Sequence, residues 1–191
     1  GGGMITHDLL LPSIYHLKRL GRVGKITVSA LNSAPLRALH DSREINEAFP
    51  GMAFEAMPSL SAPPEKMHPD LFKEALGRLA PRQAVVVAVP DAFHYDVVRD
   101  CLLHDQHVLC VKPLVLRHAQ AAEIETLARE RGLYVGVEYH KRFDRRSLLA
   151  RRHYRDGAFG AFVMGEAKLI EPYYYRHSNF QNWFTCDKTD P

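Results

Sequence analysis

The run Ala84-Val85-Val86-Val87-Ala88-Val89 constrains the fold more than any other segment, because six consecutive apolar residues leave no face for water. A strand that reads this way is covered on both faces, as happens in parallel sheets flanked by helices. The run is expected to mark the centre of such a sheet. Further apolar runs at Ile26 to Leu31, Ala53 to Met57, Val108 to Val111 and Leu133 to Val137 read as its other strands. Between them, Leu10, Ile14 and Leu17 fall on one helical face, as do Val97, Cys101 and Leu102, and Ala121, Ile124 and Ala128. Pro58 to Pro69, with four prolines, reads as a loop before a helix at Asp70 to Leu79. Strands alternating with crossover helices predict an α/β domain with a doubly wound parallel sheet.

After Val137 the texture changes. A basic helix around Arg145 to Tyr154, with Leu148 and Leu149 facing inward, leads through Gly157 and Gly160 into a strand-like run from Ala161 to Ile170. The domain boundary is placed near Tyr139. Residues 1–138 form the first domain, and residues 139–191 open a second, α+β domain that is cut short.

Composition narrows the function classes. An apolar fraction of 46% with 25% charged residues excludes disordered and collagen-like chains. The apolar runs are far shorter than a bilayer span, and no charged-then-apolar leader opens the chain, so no membrane contact and a cytoplasmic location are expected. The net charge of +3 is mild and crowds between Lys141 and Arg155, which argues against a nucleic-acid binder. Three cysteines form no even framework and are expected as reduced thiols. The chain opens on three glycines without a start methionine and stops at Asp190-Pro191, so it reads as a fragment, a cloning scar being the alternative source of the glycines.

Chemistry concentrates at the ends of the expected strands. Gly1-x-Gly3-x-x-Thr6 precedes an amphipathic helix, a pattern in which glycines and a helix N-terminus approach a pyrophosphate; Met4 and Ile5 lie within it. Thr6 stands where a third glycine is usual, and the strand that should precede the loop is missing. The second strand ends in Asn32-Ser33, at the place where an acid normally bonds ribose hydroxyls. Asn32 bonds ribose without repelling a 2′-phosphate, and Arg37 is near enough in sequence to pair with one, which tilts the choice between NAD and NADP slightly toward NADP. The other reading of Arg37 is a solvated helix face.

From the central strand the chain runs Val89-Pro90-Asp91-Ala92-Phe93-His94, then after a helix Val108-Leu109-Cys110-Val111-Lys112-Pro113-Leu114. These segments resemble the glucose–fructose oxidoreductase and inositol dehydrogenase (Gfo/Idh/MocA) family, whose Pro-x-x-x-His and Glu-Lys-Pro motifs mark the nicotinamide site. Lys112 and Pro113 match, while Val111 replaces the usual glutamate. The resemblance continues through Leu133 to Phe143 and into Gly157 to Gly160. It implies a Rossmann-like cofactor domain and hydride transfer between NAD or NADP and a sugar, cyclitol or related polyol. Lys112 is then the catalytic proton-transfer group, with Pro90, His94, Lys112 and Pro113 beside the cofactor and His140 and Arg142 candidate substrate contacts. The resemblance also implies a homo-oligomer and a second proton-transfer histidine in an Asp-x-x-x-His pair. No such pair follows Lys112, so these 191 residues alone are expected to be catalytically silent.

A different class remains open, a nicotinamide-dinucleotide-binding sensor or regulatory protein without catalysis; Val111 and the absent third glycine keep it so. Cys101-x-x-His104-x-x-His107-x-x-Cys110 has metal-ligand spacing, but its cysteines fall on apolar faces, so packing is expected and no metal. The basic residues from Lys141 to Arg155 read as a solvated helix face, or as contacts to an anionic substrate. Tyr173, Tyr174, Tyr175 and Trp183 stack on a sugar or line a subunit interface.

Overall fold

The computed structural model describes residues 1–168 and 170. The first helix is continuous over residues 4–19, a π turn at Thr6–Leu10 running into α1 (Leu11–Arg19). There follow β1 (Thr27–Ser29), α2 (Ser33–His40), α3 (Arg43–Ala48), β2 (Glu55–Met57) and α4 (Leu71–Gly77). The second half holds β3 (Ala84–Val87), α5 (His94–Leu103), β4 (His107–Val111), α6 (His118–Arg131), β5 (Val135–Glu138) and α7 (Arg145–Arg155). Short 3₁₀ turns at Asp91–Phe93 and His140–Phe143 follow β3 and β5.

The five strands expected between Ile26 and Val137 all form, the first three shortened, the fourth starting one residue earlier and the fifth shifted toward Glu138, and every pairing is parallel, as an α/β domain requires. They make two sheets instead of one. β1 pairs with β2, Thr27 opposite Glu55 and Ser29 opposite Met57. β4 lies between β3 and β5, with Val87 opposite Cys110 and Val111 opposite Glu138. The centre is therefore His107–Val111 and not Ala84 to Val89. β3 has a neighbour on one side only among the described residues, and its first residue, Ala84, is exposed.

Each sheet carries its own core. Val87, Val98, Cys101, Leu102, Val108, Cys110, Ile124 and Ala128 pack between the three-stranded sheet and helices α5 and α6. Here the expected faces of α5 and α6 hold. Leu11, Tyr15, Ile26, Leu39 and Ile45 pack around the two-stranded sheet. The face of α1 differs from Leu10, Ile14 and Leu17. Leu11 and Tyr15 are its buried residues, because the Tyr15 ring packs on Phe49 at 5.8 Å between centroids, and this turns Leu17 outward. At the end of α6, Gly132 takes a left-handed conformation, letting Leu133 N–H close on the Ala128 carbonyl at 2.9 Å.

Beyond β5 the expectations fail in two places. Leu148 and Leu149 of α7 are 45% and 52% exposed, not inward-facing, since no described element lies against them to bury an apolar stripe. The stretch from Ala161 to Lys168 forms no strand: Val163 and Met164 are about fully exposed, and a strand without a partner leaves its backbone groups unpaired. Every described residue from Tyr139 to Lys168 is exposed. Tyr173, Tyr174, Tyr175, Trp183 and Cys186 lie outside the described residues.

Candidate functional site

The glycine loop lies where the two halves meet. A methyl on Gly1 would stand 2.1 Å from the Ala88 carbonyl oxygen beyond β3, and one on Gly2 would stand 3.1 Å from Pro35 of α2. Gly3 faces open space. Thr6, in the third-glycine position, is buried and donates its hydroxyl to the Gly1 carbonyl at 2.7 Å, while Thr6 and His7 N–H both close on the Gly3 carbonyl. The threonine thus ties loop to helix by a hydrogen bond where a glycine would do so by close packing. Met4 is exposed and Ile5 half-buried at the head of the helix, where their own N–H groups have no intrahelical acceptors.

At the end of β1 the side chains are spent on the protein itself. Asn32 caps α2, its Oδ1 accepting from Ala34 N–H at 3.0 Å. Ser33 is fully buried and donates to the Ala62 carbonyl at 2.7 Å, so it is not open to a cofactor as the sequence suggested. Arg37 donates from Nε to the Leu60 carbonyl at 2.6 Å and from a terminal nitrogen to the Ala62 carbonyl at 2.7 Å. It is neither a solvated residue nor a free phosphate partner; with Ser33 it clips the proline-rich loop onto α2.

The remaining candidates gather at the carboxyl ends of β3, β4 and β5. Pro90 turns the chain out of β3 into the 3₁₀ turn. His94 begins α5 and is fully buried, its Nδ1 2.6 Å from the Pro113 carbonyl oxygen and its Nε2 2.8 Å from that of Val89. Both nitrogens are taken by backbone, so His94 is neither a surface residue nor a direct ligand contact. Lys112 follows β4 with its side chain exposed, and its peptide to Pro113 is cis. Asp91, buried beneath this edge, has its carboxyl pushed up by burial, opposed by the charges of His94 and Lys112.

Val111, in the family's glutamate position, is 9% exposed. Across the ladder its Cα partner is Glu138, a residue that sequence reasoning missed, whose carboxylate lies 3.0 Å from His140 Nδ1 with a side chain only 16% exposed. An acid ending an apolar strand, two residues before a histidine, was the available signal. Arg142 lies with its guanidinium 5.7 Å from the Tyr139 ring centroid. Lys112 and His140 thus follow neighbouring strands at the same sheet edge, where open parallel sheets bind ligands.

The Cys-His pattern disperses. Cys101 and Cys110 are fully buried in the core, each thiol pushed up to about 12 by burial. His104 Nδ1 lies 2.8 Å from the Asp100 carbonyl oxygen, and His107 Nδ1 accepts from Tyr134 N–H at 3.0 Å. The described residues contain no group of three or more His, Cys, Asp or Glu that could hold a metal ion. No helix among them is long and apolar enough to cross a membrane.

Comparison with known proteins agrees with this geometry. Residues 36–139 match the model of an oxidoreductase family with an NAD-binding Rossmann fold. The inositol 2-dehydrogenase of Rubrobacter xylanophilus is 36% identical over 87 residues, covering 43% of this chain and 24% of that protein. The chain spans about a quarter of the length of the curated relatives it matches. Among solved structures, myo-inositol 2-dehydrogenase from Lactobacillus plantarum superposes with a TM-score of 0.61 at 17% identity, over 83% of this chain and 41% of that one. The WlbA dehydrogenase from Bordetella pertussis, solved in complex with NADH and UDP-GlcNAcA, gives 0.60 at 18% identity over 84% and 41%. With its Pro90 turn, buried His94 and Lys112-Pro113 at one edge of a parallel sheet, the chain belongs to the Gfo/Idh/MocA family of NAD-binding oxidoreductases.

Proposed function

We propose that the protein binds NAD or NADP and transfers hydride between the nicotinamide and an alcohol carbon of a sugar, cyclitol or related polyol. The observation that carries this reading is the convergence on one sheet edge of the Pro90 turn, an exposed Lys112 and the glycine loop, whose first glycine cannot carry a side chain. A pyrophosphate fits that loop, since Gly3 faces open space and the helix N-terminus offers N–H groups. The relatives that act on inositol and on a D-glucoside support the polyol class.

Within this reading the nicotinamide supplies the hydride acceptor or donor when bound. The Lys112 ammonium holds the substrate hydroxyl and relays its proton, while Glu138 and His140 on the next strand end offer a carboxylate–imidazole pair for neighbouring hydroxyls. With Arg37 engaged by two carbonyls, the sequence argument favouring a 2′-phosphate falls away, and both cofactors stay within the proposal. A sensor that binds without turnover is the second reading, and the buried apolar Val111 beside Lys112 is what favours it.

Calorimetric titration with NAD, NADH, NADP and NADPH tests the binding. At least one is expected to bind; no heat from any of the four refutes the reading. Turnover with a polyol panel, in a form that also carries the second proton-transfer histidine, then separates the dehydrogenase from the sensor.

A further inference from the structure

The surroundings of His94 fix its chemical state. Its two ring nitrogens face the carbonyl oxygens of Pro113 and Val89 at 2.6 and 2.8 Å, inside a residue with no exposed surface. A carbonyl oxygen only accepts, and a neutral imidazole has a single N–H. A neutral ring would therefore set a nitrogen lone pair against an oxygen lone pair in a place that water does not reach, the costly case of an unsatisfied buried group. Only a ring protonated at both nitrogens makes both bonds.

We propose that His94 is a buried imidazolium staple that joins the carboxyl ends of β3 and β4 and positions Lys112 through the Pro113 carbonyl, with Asp91 as its counter-charge. A buried cation needs a nearby opposite charge. Asp91 lies three residues before His94, is itself buried, and interacts with the charges of both His94 and Lys112. The Cys110 thiol, close enough to feel the Asp91 charge, is pushed up to about 12, first by burial, and carries no charge near neutrality.

The staple gives the two motifs a common physical basis. Pro90-x-x-x-His94 sets the ring at the start of α5, and Lys112-Pro113 supplies the carbonyl that the ring grips, so each motif completes the other. His94 is a positioning residue: it touches neither substrate nor cofactor, and it holds the backbone from which Lys112 projects. That Lys112 moves a proton rests on the proposed function; the state of the His94 ring does not.

The deciding measurement is long-range ¹H–¹⁵N correlation of the histidine rings in labelled protein, with His94 assigned through its backbone. Both His94 nitrogens are expected to show protonated-type shifts, as the two carbonyl partners require. A lone-pair-type nitrogen on His94 at neutral pH overturns the proposal. In Asp91→Asn, one nitrogen is expected to change to the lone-pair type. Two protonated nitrogens in this variant would remove Asp91 as the counter-charge. For the positioning role, His94→Gln should lower kcat by roughly 10²-fold, the scale of a small misplacement of a reacting group, with cofactor affinity within about twofold; unchanged kcat in a folded variant refutes positioning. The kinetic comparison is made in a form that also carries the second proton-transfer histidine; if that form turns over no polyol, the proposed function fails while the ring measurement still stands or falls alone.

Discussion

Replacing Arg37 by alanine separates two uses of a guanidinium that sequence could not tell apart. The side chain gives two hydrogen bonds to the loop, at 2.6 Å to Leu60 and 2.7 Å to Ala62. A hydrogen bond with one charged partner contributes about 1.5–3 kcal/mol when desolvated. Here the arginine is half-buried, the Ala62 carbonyl keeps the Ser33 hydroxyl at 2.7 Å, and water can reach a loop carbonyl. The expected loss is therefore about 1–2 kcal/mol. At about 2–4 °C per kcal/mol for a chain of this size, the melting temperature should fall by about 2–8 °C. Hydrogen exchange should quicken between Ser59 and Lys66, and Arg37→Lys should not rescue it, because a single ammonium cannot reproduce the two-pronged grip. The affinities for NAD and NADP should weaken together with their ratio unchanged. An unaltered melt and loop exchange, with NADP binding alone reduced by more than about tenfold, would show that Arg37 serves a 2′-phosphate and refute the clip.

If the proposed hydride transfer holds, Lys112→Ala should cut turnover by about two to four powers of ten with cofactor affinity little changed; steady-state kinetics beside calorimetry reads both, and wild-type turnover would remove Lys112 from the proposed mechanism. Cys101 and Cys110 should resist alkylation at about pH 8 in the native state and react on denaturation, because their thiols are pushed up to about 12. Since burial raises these thiols in the folded state from 9.0, their contribution is fully present below pH 9.0 and is lost as pH rises toward about 12. Chemical denaturation should show stability falling across that window by on the order of 4 kcal/mol for each thiol; a flat profile there would contradict their burial.

The parts of the fold that sequence disclosed are those set by local chemistry. The strands and crossover helices follow from runs and periods, and the site motifs fall at strand ends because parallel strands all carry their carboxyl ends on one edge. Relations between distant segments were not legible. Nothing in Asn32-Ser33-x-x-x-Arg37 says that carbonyls from a loop more than twenty residues away take up the serine and arginine donors. Likewise the apolar run from Ala84 is no measure of centrality: β4 opens with a histidine, yet among the described residues it is the strand with a neighbour on each side. Leu148 and Leu149 illustrate the converse, since helical spacing places a face but supplies no surface for it to meet.

The division of the strands into two sheets bears on how the protein breathes. The β1–β2 ladder has three residue pairs and a core around Leu11, Tyr15, Leu39 and Ile45, whereas the β3–β4–β5 ladders have four pairs each and a larger core. Such halves are expected to open as separate cooperative units, the one with the shorter ladder at lower free energy, which native-state hydrogen exchange reads directly. Arg37 and Asn32 belong to the weaker unit, Lys112 and His94 to the stronger, and the glycine loop touches both, Gly1 against Ala88 and Gly2 against Pro35. A dinucleotide stretched across that loop acts as a thermodynamic bridge: amide protection gained on binding is expected chiefly in residues 26–57, far from where the chemistry is done, so the tighter the ligand, the more nearly the two units unfold as one.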